Sequence, residues 1–128
     1  MIKKGKGGGN TITGLNFEKE KDILSILKKA KNYSKHLIFV GEMPVDEDKV
    51  DPIPWDKDFS YKNEFVKEYS KITKKLCEKY GVYYTDIYNR FIDKDYKALL
   101  QDGCHPNTKG HEIIFEIVKD FLIAKKII

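Results

Sequence analysis

The stretch HLIFVGEMP (residues 36–44) decides the fold class of this chain. Leu37 to Val40 form a continuous apolar run rich in branched and aromatic side chains, and Gly41 and Pro44 end it. The run is too short for a helix, and its lack of polar alternation is typical of a strand that is buried on both faces, as in a parallel sheet. We therefore predict a buried parallel strand here.

A second run, VYYTDIY (82–88), predicts another strand, and helical patterns precede both strands. One helix is predicted to open at Phe17, with Asn16 as its cap, because apolar residues recur there at helical spacing. Another is predicted from about Tyr61 to Tyr80, with Gly81 well placed to stop it.

A short helix at about 91–100 and a long amphipathic helix after His105 complete the pattern. Helices that alternate with strands predict βαβ units, so we expect a three-layer αβα fold around a parallel sheet, similar to flavodoxin. Two strands leave long unpaired edges, which proteins normally cover. We therefore expect that the N-terminal strands of the sheet are missing.

The chain divides into two parts in this interpretation. Residues 1–15 are predicted to form a flexible leader rich in lysine and glycine, and residues 16–128 to form the C-terminal part of an α/β domain. Within the domain, residues 44–60 contain three of the four prolines and the single tryptophan, Trp55. This segment is predicted to be a long loop that borders a cleft or packs as ordinary surface.

Composition favours a small intracellular protein. The chain has 128 residues and a formal net charge of +4, from lysines that alternate with acidic residues and indicate a solvated surface more than a nucleic-acid site. Arg90 is the only arginine, and no run of apolar residues is long enough to cross a membrane. Cys77 and Cys104 are expected to be reduced thiols, and a cytoplasmic location follows.

The segment DGCHPN (102–107) carries the candidate chemistry. A catalytic histidine needs one ring nitrogen free and the other held by an acceptor. Asp102 can fold back onto His105 across a turn made tight by Gly103, and Asn107 can cap the helix that follows. On spacing alone, an ordinary surface turn before a helix explains the same residues.

The longer string DGCHPNTKGHEII (102–114) resembles the last sequence block of the SGNH hydrolases, also called GDSL esterases or lipases. HLIFVGEMPVDED (36–48) is similar to the fourth strand of that family and the loop after it. YKNEFVKEYSKITKKLCEKYGVYYTDIYNRF (61–91) is similar to its next helix and last strand. The resemblance covers residues 16–122.

The resemblance implies a serine-dependent ester hydrolase with no metal and no organic cofactor. It makes His105 the general base and Asp102 the carboxylate that orients it, with a small-molecule ester as substrate. Gly8-Gly9-Asn10 matches the start of the third block of the family, which implies that Asn10 is an oxyanion donor, although Thr11 replaces the expected aspartate. In the absence of this role, Asn10 is a residue of the leader.

The chain lacks the Gly-Asp-Ser block that supplies the nucleophile of the family, and the glycine of the second block. None of its four serines (Ser25, Ser34, Ser60 and Ser70) follows a strand in a sharp turn, so we assign no nucleophile. We therefore expect little or no activity from the isolated chain. It is then a truncated gene product, the trailing half of a split enzyme or a chain whose true start lies upstream, and its expected partner is a missing N-terminal half or a second copy. The alternative is a non-catalytic remnant or interaction module that pairs through an exposed sheet edge.

A metal site is a weaker interpretation. Asp102, Cys104, His105 and His111 are ligand types that lie close in sequence, but they lack the paired spacing of structural zinc sites. We therefore predict no metal. His111 is expected to be a structural or surface residue, and His36 matches no motif. The segment GKGGGNT (5–11) lacks the ending of a phosphate loop.

Overall fold

A computed structural model describes the backbone of residues 2–3 and 12–128, and the side chains from residue 20 onward. The described helices and strands follow in chain order: β1 (Ile2–Lys3), α1 (Ile12–Ala30), β2 (Ile38–Val40), α2 (Glu47–Val50), β3 (Phe59–Ser60), α3 (Asn63–Tyr80), β4 (Tyr83–Thr85), α4 (Tyr88–Phe91), a 3-10 turn (Tyr96–Leu99) and α5 (Thr108–Ala124).

The two strands predicted from the apolar runs pair in parallel, as expected. Ile38 lies opposite Tyr83 and Val40 opposite Thr85, and the N–H of Gly41 extends the ladder to the carbonyl of Thr85. A parallel pair of this kind requires a crossover, which α3 supplies. The chain therefore has the α/β architecture predicted from its sequence.

Helices cover both faces of this pair, so the fold has three layers. On one face, Ile23 of α1 and Cys77 of α3 belong to a buried cluster against which Tyr84 of β4 packs. On the other face, Tyr83 meets Phe121 of α5 edge to face, with ring centroids 6.0 Å apart. Neighbouring residues of β4 thus point to opposite layers, as the pleat of a strand demands.

The ends of the two long helices follow their predicted signals. Gly81 ends α3 with φ of 71°, a left-handed conformation that favours glycine. Asn107 caps α5, because its side-chain oxygen accepts from the N–H of Gly110. This cap places the residue after the 102–105 turn directly at the start of α5.

Some predicted boundaries differ from the structure. Helix α1 begins at Ile12 and not at Phe17, because Asn16 is tolerated inside a helix at modest cost while Ile12 and Leu15 continue the apolar spacing. Residues 12–15 of the predicted leader are therefore helical. The helix predicted at 91–100 is wrong in extent: α4 ends at Phe91, and within 92–100 only the 3-10 turn at Tyr96–Leu99 is helical.

Strand β2 is less buried than the sequence predicts. Val40 is 42% exposed, because β4 is the only strand that pairs with β2 among the described residues. A continuous apolar run indicates a strand that can be buried on both faces, and does not reveal how many neighbours it has.

The predicted loop at 44–60 is more ordered than expected. It contains α2 and β3, and β3 pairs antiparallel with β1. Val45, Val50 and Ile53 are buried in one cluster with Val66 and Tyr88. In the described part of the chain, no helix is long and apolar enough to cross a membrane.

Candidate active site

Asp102 and His105 form a hydrogen-bonded pair in the turn before α5. Nδ1 of His105 lies 2.6 Å from Oδ2 of Asp102, as predicted. Oδ1 of the same carboxylate accepts from the backbone N–H groups of Cys104 and His105, at 3.0 and 2.8 Å. One carboxylate therefore orders the turn and holds the imidazole at the same time.

These contacts fix the proton positions within the pair. Partial burial by itself raises the pKa of Asp102, but the backbone N–H groups of His105 and Cys104 and the side chains of both residues outweigh it. The pKa of Asp102 therefore lies well below its ordinary value. Since an ionised carboxylate has no proton to give, Nδ1 of His105 is the donor in this bond, and in the neutral imidazole the lone pair is then on Nε2.

Cys104 lies beside the pair but is a poor nucleophile. Its Sγ is 3.4 Å from Oδ1 of Asp102 and 3.2 Å from Nδ1 of His105. Burial, the hydrogen bond to Asp102 and the charge of Asp102 raise the pKa of the Cys104 thiol to about 12. The thiol is therefore protonated at neutral pH and lacks the thiolate that nucleophilic attack requires.

Gly103 anchors the turn to the body of the protein. Its carbonyl accepts from the N–H of Asp46 at 2.8 Å, and its φ of 96° suits glycine. A Cβ at this position would lie 2.8 Å from Cβ of Lys49 and 3.0 Å from Cγ1 of Val50. The turn is therefore packed directly against α2.

A second set of contacts fixes the segment that holds Gly103. The side chain of Asn63, at the start of α3, accepts from the N–H of Val45 at 2.7 Å and donates to the carbonyl of Val45 at 2.9 Å. The hydroxyl of Tyr96 donates to the same carbonyl, also at 2.9 Å. Asn63 thus acts as a clamp on the residue next to Asp46. No sequence motif pointed to this clamp, because its partners are far apart in the chain.

The start of α5 closes against the segment before the turn. A Cβ at Gly110 would lie 2.6 Å from the carbonyl oxygen of Leu99, so only glycine allows this approach. The N–H of Gln101 donates to the carbonyl of His105 at 2.7 Å, and the N–H of Asn107 to that of Leu99 at 2.8 Å. The turn is therefore tied at both of its ends.

His105 borders a cleft of about 420 Å³ at the carboxyl end of β2. Its walls are mostly apolar and come from both helical layers, since Val66 of α3 and Ile114 of α5 both contribute. Trp55 is 55% exposed, and its ring centroid lies 6.5 Å from that of His105. The volume and the apolar lining suit a small organic ligand.

The structure does not bring the other described candidate residues into contact with this pair. Asn10 lies outside the described residues. His36 and His111 are exposed, and no hydrogen bond joins any of the four serines to His105. Of the four residues that the sequence offers for a metal site, Asp102, Cys104 and His105 place ligand atoms within 4.8 Å of one another, and His111 is not in this group.

Solved structures give the same fold with a low level of sequence identity. The esterase domain of the ORF1 protein from the zebrafish ZfL2-1 retrotransposon matches with a TM-score of 0.63 and 17% identity, over 85% of this chain and 60% of that one. LAE5, an alpha/beta hydrolase enzyme from the metagenome of Lake Arreo, Spain, matches with a TM-score of 0.59 and 21% identity, over 85% of this chain and 46% of that one.

The chain thus spans less than two thirds of either of these neighbours. No curated protein matches it in sequence. The model of the GDSL-like lipase/acylhydrolase family matches residues 7–113, a span that contains both the parallel strands and the Asp102–His105 pair. The chain belongs to the GDSL-like lipase/acylhydrolase family.

Proposed function

We propose that this chain carries the base and its orienting carboxylate for serine-dependent hydrolysis of a small-molecule ester. The observation that supports this most directly is the 2.6 Å contact between Asp102 and Nδ1 of His105, at the edge of an apolar cleft. The contact leaves Nε2 as the nitrogen that can take a proton, which is the arrangement that a general base needs.

The reaction would proceed in two steps. Nε2 of His105 takes the proton of a serine hydroxyl while the serine oxygen attacks the ester carbonyl, and the same proton then passes to the departing alcohol. Water repeats the attack on the acyl-enzyme and releases the acid. Asp102 stabilises the imidazolium that forms in each step. Asn10 would donate to the oxyanion, and the family match, which begins at residue 7, includes it.

None of the four serines of the chain has the surroundings of a nucleophile. Ser60 and Ser70 are buried, and Ser34 is bonded to the backbone of His36 in the turn after α1. Ser25 is an exposed residue of α1. We therefore propose that the nucleophile comes from a missing N-terminal half of the fold. Loss of the triad serine removes a factor of about 10⁶ in other serine hydrolases, so the isolated chain should be almost inactive.

Hydrolysis of p-nitrophenyl butyrate and labelling with a fluorophosphonate probe test this proposal together. We expect little turnover by residues 1–128 and no labelled serine. Any residual turnover should disappear in His105→Ala and persist in His111→Ala, which removes an exposed histidine outside the pair. The product of the gene with any upstream coding sequence is the second sample, and it should gain both turnover and a labelled serine.

Two results would contradict the proposal. The first is turnover that His105→Ala leaves unchanged. The second is labelling of one of the four serines together with loss of turnover when that serine becomes alanine, which would place the nucleophile inside this chain. The same proposal includes a cytoplasmic location. Cys77 and Cys104 are both free thiols, which supports it.

A second candidate function is that of an interaction module. It is favoured by the edge of β2, which has β4 on one side and no other strand among the described residues. Exposed edges of this kind pair readily with strands from other chains. A monomeric mass in analytical ultracentrifugation at high concentration would count against self-pairing, and a dimer that Val40→Lys dissociates would support it.

A further inference from the structure

We propose that Asp102, Cys104 and His105 form a binding site for Zn²⁺ or a similar soft divalent cation, as an inhibitor and not as a cofactor. Each residue offers a different ligand type, a carboxylate oxygen, a thiol sulfur and an imidazole nitrogen. Sulfur and imidazole ligands favour zinc and cobalt over magnesium and calcium. The sequence spacing of these residues does not match that of structural zinc sites. The turn nevertheless brings three of the four candidate ligands together.

The distances in the turn are close to those of a zinc site. Tetrahedral zinc with bonds of about 2.0 to 2.3 Å holds its ligand atoms about 3.3 to 3.6 Å apart. Sγ of Cys104 already lies 3.2 Å from Nδ1 of His105, and the three ligand atoms all lie within 4.8 Å of one another. The separation of Oδ2 from Nδ1 is 2.6 Å and would have to open by roughly 0.7 Å.

The cation has a path to the three atoms. The side chain of His105 is 67% exposed and that of Asp102 is 38% exposed, and Cys104 and His105 both line the cleft. Water in the cleft can supply a fourth ligand, as it does at zinc sites with three protein ligands. The backbone bonds from Cys104 and His105 to Oδ1 of Asp102 keep the turn in place while the metal binds.

Binding would exchange protons for the metal in a balanced way. The thiol of Cys104 gives its proton to solvent and becomes the thiolate ligand. The hydrogen on Nδ1 of His105 is replaced by the metal, and Nε2 takes up a proton, so the imidazole stays neutral. Net release is therefore one proton for each cation. If the proposed function is right, the protonated Nε2 can no longer accept a proton from serine, and the base is blocked.

Cobalt is the probe of choice, because a thiolate bound to Co²⁺ gives a charge-transfer absorption band that zinc lacks. The chain is purified without a polyhistidine tag and with its thiols reduced. It is titrated with Co²⁺ and followed by absorption spectroscopy, and a second sample is titrated with Zn²⁺ and followed by calorimetry. We expect one ion for each chain and a thiolate band. Cys104→Ser should abolish the band and weaken zinc binding at least about tenfold, since even outer partners of a metal site are worth that much.

Two matched controls separate this site from other ligands of the chain. Cys77→Ser removes the buried thiol of α3, and His111→Ala removes an exposed imidazole, and neither should change binding. Circular dichroism verifies that each variant is folded. A band that survives Cys104→Ser, binding that His105→Ala leaves unchanged, or the lack of any one-to-one complex would overturn the proposal. The absorption band and the binding heats do not depend on ester hydrolysis, so a chain without esterase activity still tests the metal site.

Discussion

Replacement of Gly103 by alanine tests whether the turn at 102–105 is held by steric fit. The residue has φ of 96°, where an L side chain is strained by about 1–2 kcal/mol. Its new Cβ would lie 2.8 Å from Cβ of Lys49 and 3.0 Å from Cγ1 of Val50, and overlap of this kind costs about 1–3 kcal/mol. We therefore expect Gly103→Ala to lower the free energy of unfolding by about 2–5 kcal/mol.

Substitutions at two other glycines separate the cost of backbone strain from the cost of steric overlap. Gly81 has φ of 71° but only the flexible Nζ of Lys31 near a new Cβ, at 3.8 Å, so Gly81→Ala should cost only the backbone strain of about 1–2 kcal/mol. Gly110 lies in α5, where alanine gains about 1 kcal/mol of helix propensity. A Cβ at Gly110 would collide with the carbonyl oxygen of Leu99 at 2.6 Å. This overlap therefore decides whether Gly110→Ala raises or lowers the free energy of unfolding.

Urea unfolding at 25 °C, followed by circular dichroism, gives the three free energies. The order of destabilisation should place Gly103→Ala clearly above Gly81→Ala. If the two variants lose the same free energy, the packing of the turn against α2 contributes nothing and the steric reasoning is wrong. The NMR signals of His105 provide an independent check. Gly103→Ala should displace the turn and change the chemical shifts of the His105 imidazole, while Gly81→Ala should leave them unchanged.

Three further predictions concern the contacts around the pair. Asn63→Ala leaves the N–H of Val45 without its partner and should lower the free energy of unfolding in urea by about 1–3 kcal/mol. Because the pKa of Asp102 is lowered in the folded state, its contribution to stability is present above its ordinary pKa of 3.8 and is lost as the pH falls through the lower folded value. The urea midpoint should therefore fall on acidification below about pH 4, and less so in Asp102→Asn. The raised pKa of Cys104 predicts alkylation by iodoacetamide at pH 8 at least about tenfold slower than in urea, as measured by mass spectrometry.

The parts of the fold that the sequence predicts are those with local or periodic signals. The parallel strands appear as apolar runs, and the ends of α3 and α5 are marked by Gly81 and Asn107. The Asp102–His105 contact follows from a spacing of three residues. Each of these features depends on residues that are neighbours in the chain, so no long-range information is needed.

The parts that the sequence missed depend on contacts between distant residues. Asn63 bonds to Val45 across 18 positions, and Tyr96 reaches the same carbonyl across 51. Strand β3 has two residues, too few for any periodicity, and is defined by its antiparallel partner β1. A polar side chain at a helix start is common in any sequence, and its role becomes visible only when the three-dimensional neighbours are known.

The Asp102–His105 pair depends on local contacts for its formation and on distant contacts for its position. All three bonds that orient Asp102 and His105 toward each other arise within residues 102–105, so the pair can form without the rest of a complete hydrolase. The position of the pair depends on distant residues instead, through Gly103 and Asp46 and through the clamp of Asn63 on Val45. Substitution of Asn63 should therefore shift the position of the turn and leave the Asp102–His105 hydrogen bond intact. Asp102→Asn should weaken that hydrogen bond and leave the turn in position. Under the proposed function, a base that is assembled locally and placed by distant residues can serve a serine carried by another segment, because only its placement has to match that segment.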